Sequence, residues 1–356
     1  MTEPDMLDRL MDMARWAPSG DNTQPWRFER LGERQLRVHG FDTRDHCVYD
    51  LDGHPSQISF GTWLETFSIA AASLGWRMNI DRMDFSEEAR PRFDVSIHPA
   101  EAPSQRDLAA QIEKRSVQRR PLHRTPLTAA EKSALQACLP EGMAVHWLDQ
   151  GFDRLKTAKL LFHSAKLRLT IEEAYEVHRD IIEWHAQFSV DKVPDQALGA
   201  NPGTVLLMRQ VMKSWQRVKF FNTFLAGTWA PRIELDFVPS ICCAAHFVIH
   251  AGKSPKQAED YVEAGRAIQR FWLQASALQL QLQPEVTPLV FSRYSRESRH
   301  FSRSAHAMPM AQAIRRRLED LLGRELAEHA VFMGRLGHGP AAQARSLRKP
   351  LAKLWA

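Results

Sequence analysis

In the opening stretch LDRLMDMARW, Leu7, Leu10, Met11 and Ala14 recur near helical spacing, which predicts an amphipathic helix stopped by Pro18. The run WRFERLGERQLRVHGFD then reads as two short strands around Leu31, Gly32 and Glu33. Residues 56–76, SQISFGTWLETFSIAAASLGW, form a strongly apolar helix rich in small residues. A counterpart lies far downstream. Shifting the numbering by 204 sets Gly61 on Gly265, Leu64 on Ile268, Phe67 on Phe271, Ile69 on Leu273, Ala71 on Ala275 and Leu74 on Leu278. Small and large residues repeat in one order, as two helices with the same packing role require. The alternative is chance likeness between two apolar helices; the leading glycines and the continued match of Trp76 with Leu280 favour duplication.

Between these helices, the polar, proline-bearing stretch 99–110 is a candidate joint between two halves. Thr128 with Glu131 makes a capping box, so a helix is expected to begin there. Residues 152–187 predict one or two long helices. Residues 203–227 predict another, with Met208, Val211, Met212, Trp215, Val218 and Phe221 on one side. Periodicity leaves 237–250 as a buried strand or a short helix. The 254–283 region predicts a helix with Ser254 and Pro255 as N-cap and first residue, 307–326 a further helix, and VFMGRLGHGP a late strand entering a turn. The sum is an α+β chain, rich in helix and with few strands.

Composition adds limits. The 356 residues are 44% hydrophobic and 25% charged, with 17 Gly and 20 Pro, an ordinary globular balance that allows two core-bearing units or one large one. No apolar run is long enough to span a bilayer, and the acidic N-terminus MTEPDMLDRL differs from a secretory leader, so a cytoplasmic protein without a membrane partner is expected. Cys47, Cys138, Cys242 and Cys243 lack the spacing of a disulfide or metal framework and are expected to be reduced and buried. Net charge is +5, with basic residues gathered at Arg315, Arg316 and Arg317 and again at Arg345, Arg348, Lys349 and Lys353, beyond the last acid at Glu328. Such an end suits a solvated tail or a phosphate clamp. No nucleic-acid motif accompanies it.

Two stretches carry candidate chemistry. RSVQRR, residues 115–120, sets several guanidinium groups and a hydroxyl beside one another, a donor set suited to phosphate, or else a solvated basic turn. PSGDNTQPW, residues 18–26, is either a turn built from Gly, Asp and Asn or a loop whose Ser19, Asn22 and Gln24 present short, rigidly held groups to a flat polar heterocycle. Elsewhere, Glu172, Glu173, Glu176, His178, Glu183 and His185 lack the spacing of a metal helix and read as a solvated face. His246 and His250 read as buried, hydrogen-bonded histidines, or as ligands if their segment is helical. No metal site is expected, and no GxGxxG, Walker or GxSxG motif occurs.

RWAPSGDNTQPW resembles the loop that opens the flavin site in the nitroreductase family of FMN-dependent oxidoreductases, and RSVQRR resembles that family's phosphate-holding Arg-Ser stretch. AGRAIQRFWLQASALQLQLQP is similar to the family's second-half helix, and VFMGRLGHGPAAQARSLRKP to its closing basic segment. In typical members the Arg-Ser stretch precedes the loop, and a homodimer completes each site. Here the loop comes first, at 18–26, and the Arg-Ser stretch follows at 115. With the helical duplication, this order implies a fused pseudo-dimer resembling the Acg-like subgroup. Its halves would be residues 1–105 and 106–356, the second carrying a lid-like helical insertion at about 186–240.

The resemblance implies one FMN per chain, with the phosphate held by Arg115, Ser116 and Arg119 together with Arg345 or Arg348, and the ring or ribityl chain contacted by Ser19, Asn22 and Gln24. The backbone amide that relatives place near flavin N5 comes from a turn after the second-half helix, which here reads Gln281, Leu282, Gln283 and Pro284 in place of a Gly-containing sequence. The implied activity is hydride transfer from NAD(P)H or a substrate to a nitroaromatic, quinone or biosynthetic small molecule, by a monomer or homodimer. The alternative is a protein that holds FMN without turnover or has lost it. The resemblance names no catalytic side chain.

Overall fold

The computed structural model describes residues 5–224 and 227–356. One antiparallel sheet contains β1 (Trp26–Gly32), β2 (Gln35–Gly40), β3 (Trp76–Asp84) and β4 (Arg92–Pro99). A second contains β5 (Met143–Leu148), β6 (Ala245–Ala251), β7 (Gln281–Pro284) and β8 (Ala330–Gly337). Their spatial orders correspond, β1-β2-β4-β3 in one and β5-β6-β8-β7 in the other. A 20-residue helix leads into the third strand of each sheet: His54–Ser73 before β3, and Ala258–Ala277 before β7. The duplication inferred from two apolar helices is therefore a repeated ββαββ path, and the chain is α+β with two related halves.

The repeat differs in its connections. Glu33 and Arg34 alone join β1 to β2, whereas residues 149–244 separate β5 from β6, so the insertion is larger than the expected 186–240. It holds helices Gly151–Thr170 and Glu172–Ile181, then Pro202–Val211 and Trp215–Phe224. The last two correct the single helix expected over 203–227; Leu225 and Ala226 lie outside the described residues. A second extension, with helices Thr287–Arg296, Ala307–Leu322 and Arg324–His329, separates β7 from β8.

The central helices cross at the paired glycines. A Cβ on Gly61 would run into the Val262 carbonyl, and a Cβ on Gly265 into the Ile58 carbonyl. These clashes map onto each other under the 204-residue shift, which sets Ile58 on Val262 as it sets Gly61 on Gly265. The flanking polar contacts obey the same symmetry. Gln269 Nε2 donates to Thr66 Oγ1 at 2.9 Å, while buried Glu65, at the position equivalent to Gln269, pairs with Arg270 and, at 3.1 Å, with Arg266. Tight backbone approach makes the two helices one hydrophobic spine, and helix His54–Ser73 is buried on nearly every side between that partner and the first sheet.

Several local readings change. β3 and β4 enlarge the strand content: Phe93, Val95 and Ile97 enter the core at period two, but β3 (WRMNIDRMD) is an edge strand whose charged residues mask its pattern. The capping box at Thr128 is present. The second central helix starts from Gln257, whose capping box with Asp260 displaces the expected Ser254–Pro255 start. Residues 237–250 divide between a short helix, Val238–Ile241, and β6, so His246 and His250 belong to a strand and lie about 13 Å apart along it. All four cysteines are unpaired, but Cys138 and Cys242 retain partial exposure instead of full burial. Burial raises the Cys47 and Cys138 thiols to about 12, which leaves neither a ready thiolate. The chain end returns to the first half, with Phe28 N donating to Leu354 O at 2.8 Å and Ala356 N to Phe28 O at 2.7 Å.

Candidate functional site

The loop after the first helix (Met6–Ala14) is held in a costly backbone shape. Asp21, Asn22 and Gln24 have φ of 50°, 62° and 50°, in the left-handed region that non-glycine residues rarely occupy. The spine fixes one side: Thr62 Oγ1 donates to Pro18 O at 2.7 Å, and Gly20 N to Ser59 Oγ at 3.4 Å. Ser19 Oγ accepts Gln24 N at 2.9 Å. Gln24 is fully buried; its amide nitrogen donates to Asn22 O at 3.1 Å and Val190 O at 2.8 Å, and its oxygen accepts Lys349 N at 2.9 Å. Its side chain thus ties the loop to the insertion and the chain end, and both amide donors are used. Asn22 does the same, donating to Lys192 O at 3.3 Å and accepting from Arg348 at 2.9 Å.

Beside this loop, Arg115, Arg345 and Arg348 converge. Arg115 is 4% exposed and Arg348 8%, yet no carboxylate forms an ion pair with any of the three among the described residues. They donate instead to backbone carbonyls: Arg115 to Trp16 O at 3.0 Å, Arg348 to Ala17 O at 2.9 Å, and Arg345 to Arg115 O at 3.2 Å. Trp272 lies under the Arg115 guanidinium at 4.7 Å, and Trp16 under that of Arg345 at 5.4 Å. The buried Nε groups of Arg115 and Arg345 have no partner. Burial, followed by mutual repulsion, pushes the Arg115 and Arg348 guanidiniums down, Arg348 to about 9; burial also lowers Arg345, with Glu113 opposing at longer range. Arginine keeps its proton at neutral pH, so the result is a largely buried cationic cluster with no carboxylate in contact. Such a cluster favours an oxyanion strongly.

Arg119 does not join that cluster. The 115–120 stretch runs alongside β7, with a Val117–Leu282 bridge and Gln118 N donating to Leu282 O at 3.1 Å, and it carries Arg119 to another face. There Arg119 donates to Ala197 O at 3.0 Å, and its charge acts on Asp21. Burial raises the Asp21 carboxyl and lowers Arg119, each shift being opposed by the other group. Ser116, next to Arg115, is partly exposed.

A recessed polar group continues from Asp21 and Arg119 to Tyr49, Arg168, His178 and Asp236. Tyr49 Oη and His178 Nε2 are 3.1 Å apart, with the rings stacked at 5.9 Å, while Arg168 donates to both Asp236 oxygens at 2.9 and 3.0 Å. Burial, then Arg168, lowers His178 to about 3, so its ring is neutral, and burial raises the Tyr49 hydroxyl. His178 is therefore not part of a solvated helix face, because its helix buries Ala174, Tyr175 and Val177 and turns it toward Tyr49. These groups come from the 18–24 loop, the segment before helix His54–Ser73, the 115–120 stretch, two insertion helices and the π-helical turn Arg232–Phe237, a gathering that linear spacing does not reveal. All retain accessible surface, so they can present a neutral hydroxyl donor and an arginine to a small molecule.

The Gln281–Pro284 segment is strand β7, paired with Gly337–Gly334, in place of the expected turn. The turn is at Gln279, where φ is 59°. Gln283 Oε1 accepts from Arg335 at 2.6 Å. Arg335, 1% exposed, also donates to Arg119 O at 2.7 Å and lies 3.5 Å from Glu285, which contacts His246 Nδ1 at 2.7 Å. His246 Nε2 lies 2.9 Å from Ser240 O, so both ring nitrogens face acceptors. Burial is the largest single influence and opposes the charged ring, but Glu285 and Cys243 together outweigh it and raise His246 to about 10. His246 is therefore a buried, hydrogen-bonded histidine, and it anchors the strand that positions Arg119. A charged residue within each apolar strand, His246 in β6 and Arg335 in β8, was the available sequence signal for this network. No group suited to holding a metal occurs among the described residues, and none of their helices is long and apolar enough to cross a membrane.

No family model matches the chain. It is 28% identical over 188 residues to a Mycobacterium tuberculosis protein provisionally named an NAD(P)H nitroreductase, covering 52% of this chain and 53% of the relative. A second M. tuberculosis protein, uncharacterized, is 27% identical over 188 residues, covering 51% of this chain and 54% of that protein. The chain thus spans about half the length of the curated relatives it matches. A crystal structure of a nitroreductase-like family protein from Bacillus cereus aligns with a TM-score of 0.34 and 12% identity, over 69% of this chain and 92% of that one. The similarity to proteins named as NAD(P)H nitroreductases, joined to the loop and the Arg-Ser stretch, supports the nitroreductase family for this chain.

Proposed function

We propose that the chain is an FMN-dependent oxidoreductase of nitroreductase type, with halves 1–105 and 106–356 enclosing one flavin site. The observation that carries this reading is the Arg115–Arg345–Arg348 cluster, two of its arginines buried and Arg345 half-buried, without a carboxylate in an ion pair. A phosphate monoester fits that donor set, because it supplies the missing negative charge and can accept from the unpartnered Nε groups. Arg115, Arg345 and Arg348 would hold the phosphate, with Ser116 adjacent. Ser19 and Asn22 would border the ribityl chain, and Arg119 and Gln283 would lie toward the ring; Gln24 would act through the loop it fastens.

Bound FMN supplies the hydride chemistry, exchanging with NAD(P)H or a substrate. This chain's residues bind and orient it, and segment 186–197 screens the loop from water. The Tyr49 hydroxyl would donate to an oxygen of a nitroaromatic, quinone or biosynthetic substrate. We place the protein in the cytoplasm; its fused halves make a monomer sufficient.

A second reading is retention of FMN without turnover. It is favoured by the closure of the insertion on the loop, through Gln24 to Val190 and Asn22 to Lys192, and on the 115–120 stretch, through Arg119 to Ala197. Purified protein should be yellow or become so with added FMN. Rapid anaerobic bleaching by NADPH supports the enzyme, and a flavin that resists every nicotinamide supports retention. A colourless chain that takes up no added FMN contradicts both.

A further inference from the structure

Helices Pro202–Val211 and Trp215–Phe224 carry apolar residues on both sides. Neither buries a side chain fully; Trp215 packs half-buried against Tyr175, while Leu206 is 53% exposed, Leu207 50%, Phe220 54% and Phe224 71%. On the second helix, the exposed arc places Phe220 and Phe224, with rings 5.2 Å apart, between Arg217 and Lys219. The inner side attaches the pair to the fold, through Tyr175 Oη to Met212 O at 3.1 Å and Asn222 Nδ2 to Leu169 O at 2.8 Å. Charge is one-sided. From Gln196 to Ile233 there is no acidic residue, while Arg209, Lys213, Arg217 and Lys219 are basic; Arg232 is buried against Phe162 and does not add to the face. Trp229 and Ile233 of the same insertion are exposed as well.

We propose that this face docks on an anionic phospholipid bilayer, with Leu206, Leu207, Phe220 and Phe224 entering the headgroup boundary and Lys213, Arg217 and Lys219 attracted to lipid phosphates. Short amphipathic helices with apolar residues flanked by Lys and Arg lie in the membrane interface without crossing it. Anionic lipid also answers the charge: a second copy meeting this face isologously would oppose two sets of basic residues with no acid between them. The face belongs to the same insertion that supplies Arg168, His178 and Asp236, so docking would bring the recessed polar group close to membrane-dissolved compounds.

The full chain should co-float with vesicles made equally of phosphatidylcholine and phosphatidylglycerol, bind phosphatidylcholine vesicles weakly, and release from the anionic vesicles as salt rises. Lys213→Glu with Arg217→Glu should weaken anionic binding by about tenfold or more, given roughly 1 kcal/mol per basic residue near the surface. Phe220→Ser with Phe224→Ser should weaken it several-fold while keeping the charge. These residues are exposed, and unchanged circular dichroism would verify folding of each variant. Wild-type protein that fails to bind anionic vesicles, or folded double variants that bind as well as wild type, would overturn the proposal. Self-association that the phenylalanine variant abolishes, without vesicle binding, would assign the face to a second copy and overturn it too.

Discussion

Substituting Gly61 or Gly265 with alanine tests the joint between the halves. Replacing a helix-interior glycine normally gains about 1 kcal/mol in helix propensity. Here the added Cβ meets backbone carbonyl groups, Val262 from Gly61 and Ile58 from Gly265, which cannot rotate away. The helices must separate along a crossing that contains Glu65, Thr66 and Gln269. Overpacking of a core costs about 1–3 kcal/mol, and a backbone obstacle belongs at the upper end of that range. Subtracting the propensity gain leaves a net loss of about 2 kcal/mol for either variant, or a fall of about 3 °C in the unfolding midpoint. Thermal and urea unfolding would measure it, with Gly151→Ala as control because no atom lies within 4 Å of the added carbon there. The two variants should cost nearly the same, and the double variant less than their sum, since the first separation makes room for the second methyl group. Ser59 and Thr62 hold the 18–24 loop from the same helix, so each loss should also loosen that loop. Neutral or stabilising behaviour at either glycine would refute the close crossing; unequal costs would refute its pseudo-symmetry.

Arg115→Leu should separate binding from stability: FMN affinity should fall by about 1.5–3 kcal/mol for each charged hydrogen bond lost, while the flavin-free chain keeps its unfolding midpoint because one repelling charge has gone. Flavin titration and melting of the same preparation measure both, and unchanged FMN affinity would remove Arg115 from the phosphate site. The His246–Glu285 pair gives a pH prediction. Because folding raises His246 from 6.5 to about 10, its stabilisation is complete below about pH 6.5 and is lost as pH rises through about 10. The stability gap between wild type and His246→Gln, on the order of a few kcal/mol, should therefore narrow across that window; a gap that widens with pH would contradict a charged, Glu285-paired ring.

The legible parts of the fold were those in which a residue type has one structural use. The paired glycines and matched apolar order of 56–76 and its counterpart disclosed the duplication, because close helix crossing demands that pattern. β3 was obscured by Arg77, Asp81 and Arg82 on an exposed edge, and β7 by its brevity and terminal proline. At the site, the local motifs gave Asn22, Gln24, Arg115 and Arg348 as members of one neighbourhood. They did not show that Gln24 spends its amide on backbone groups or that Arg119 diverges from Arg115, since both outcomes depend on the strand bridge at Val117 and on segment 186–197. Tyr49, Arg168, His178 and Asp236 share no sequence pattern, and only folding collects them.

The central claim is that two fused halves make one flavin site around a single arginine cluster. Its most direct test is the stoichiometry of FMN binding to the full chain, by titration followed by measurement of bound flavin and protein. One FMN per chain, bound to wild type and weakened in Arg115→Leu, is the predicted result. Two per chain, or no FMN bound by folded wild-type protein, would contradict it.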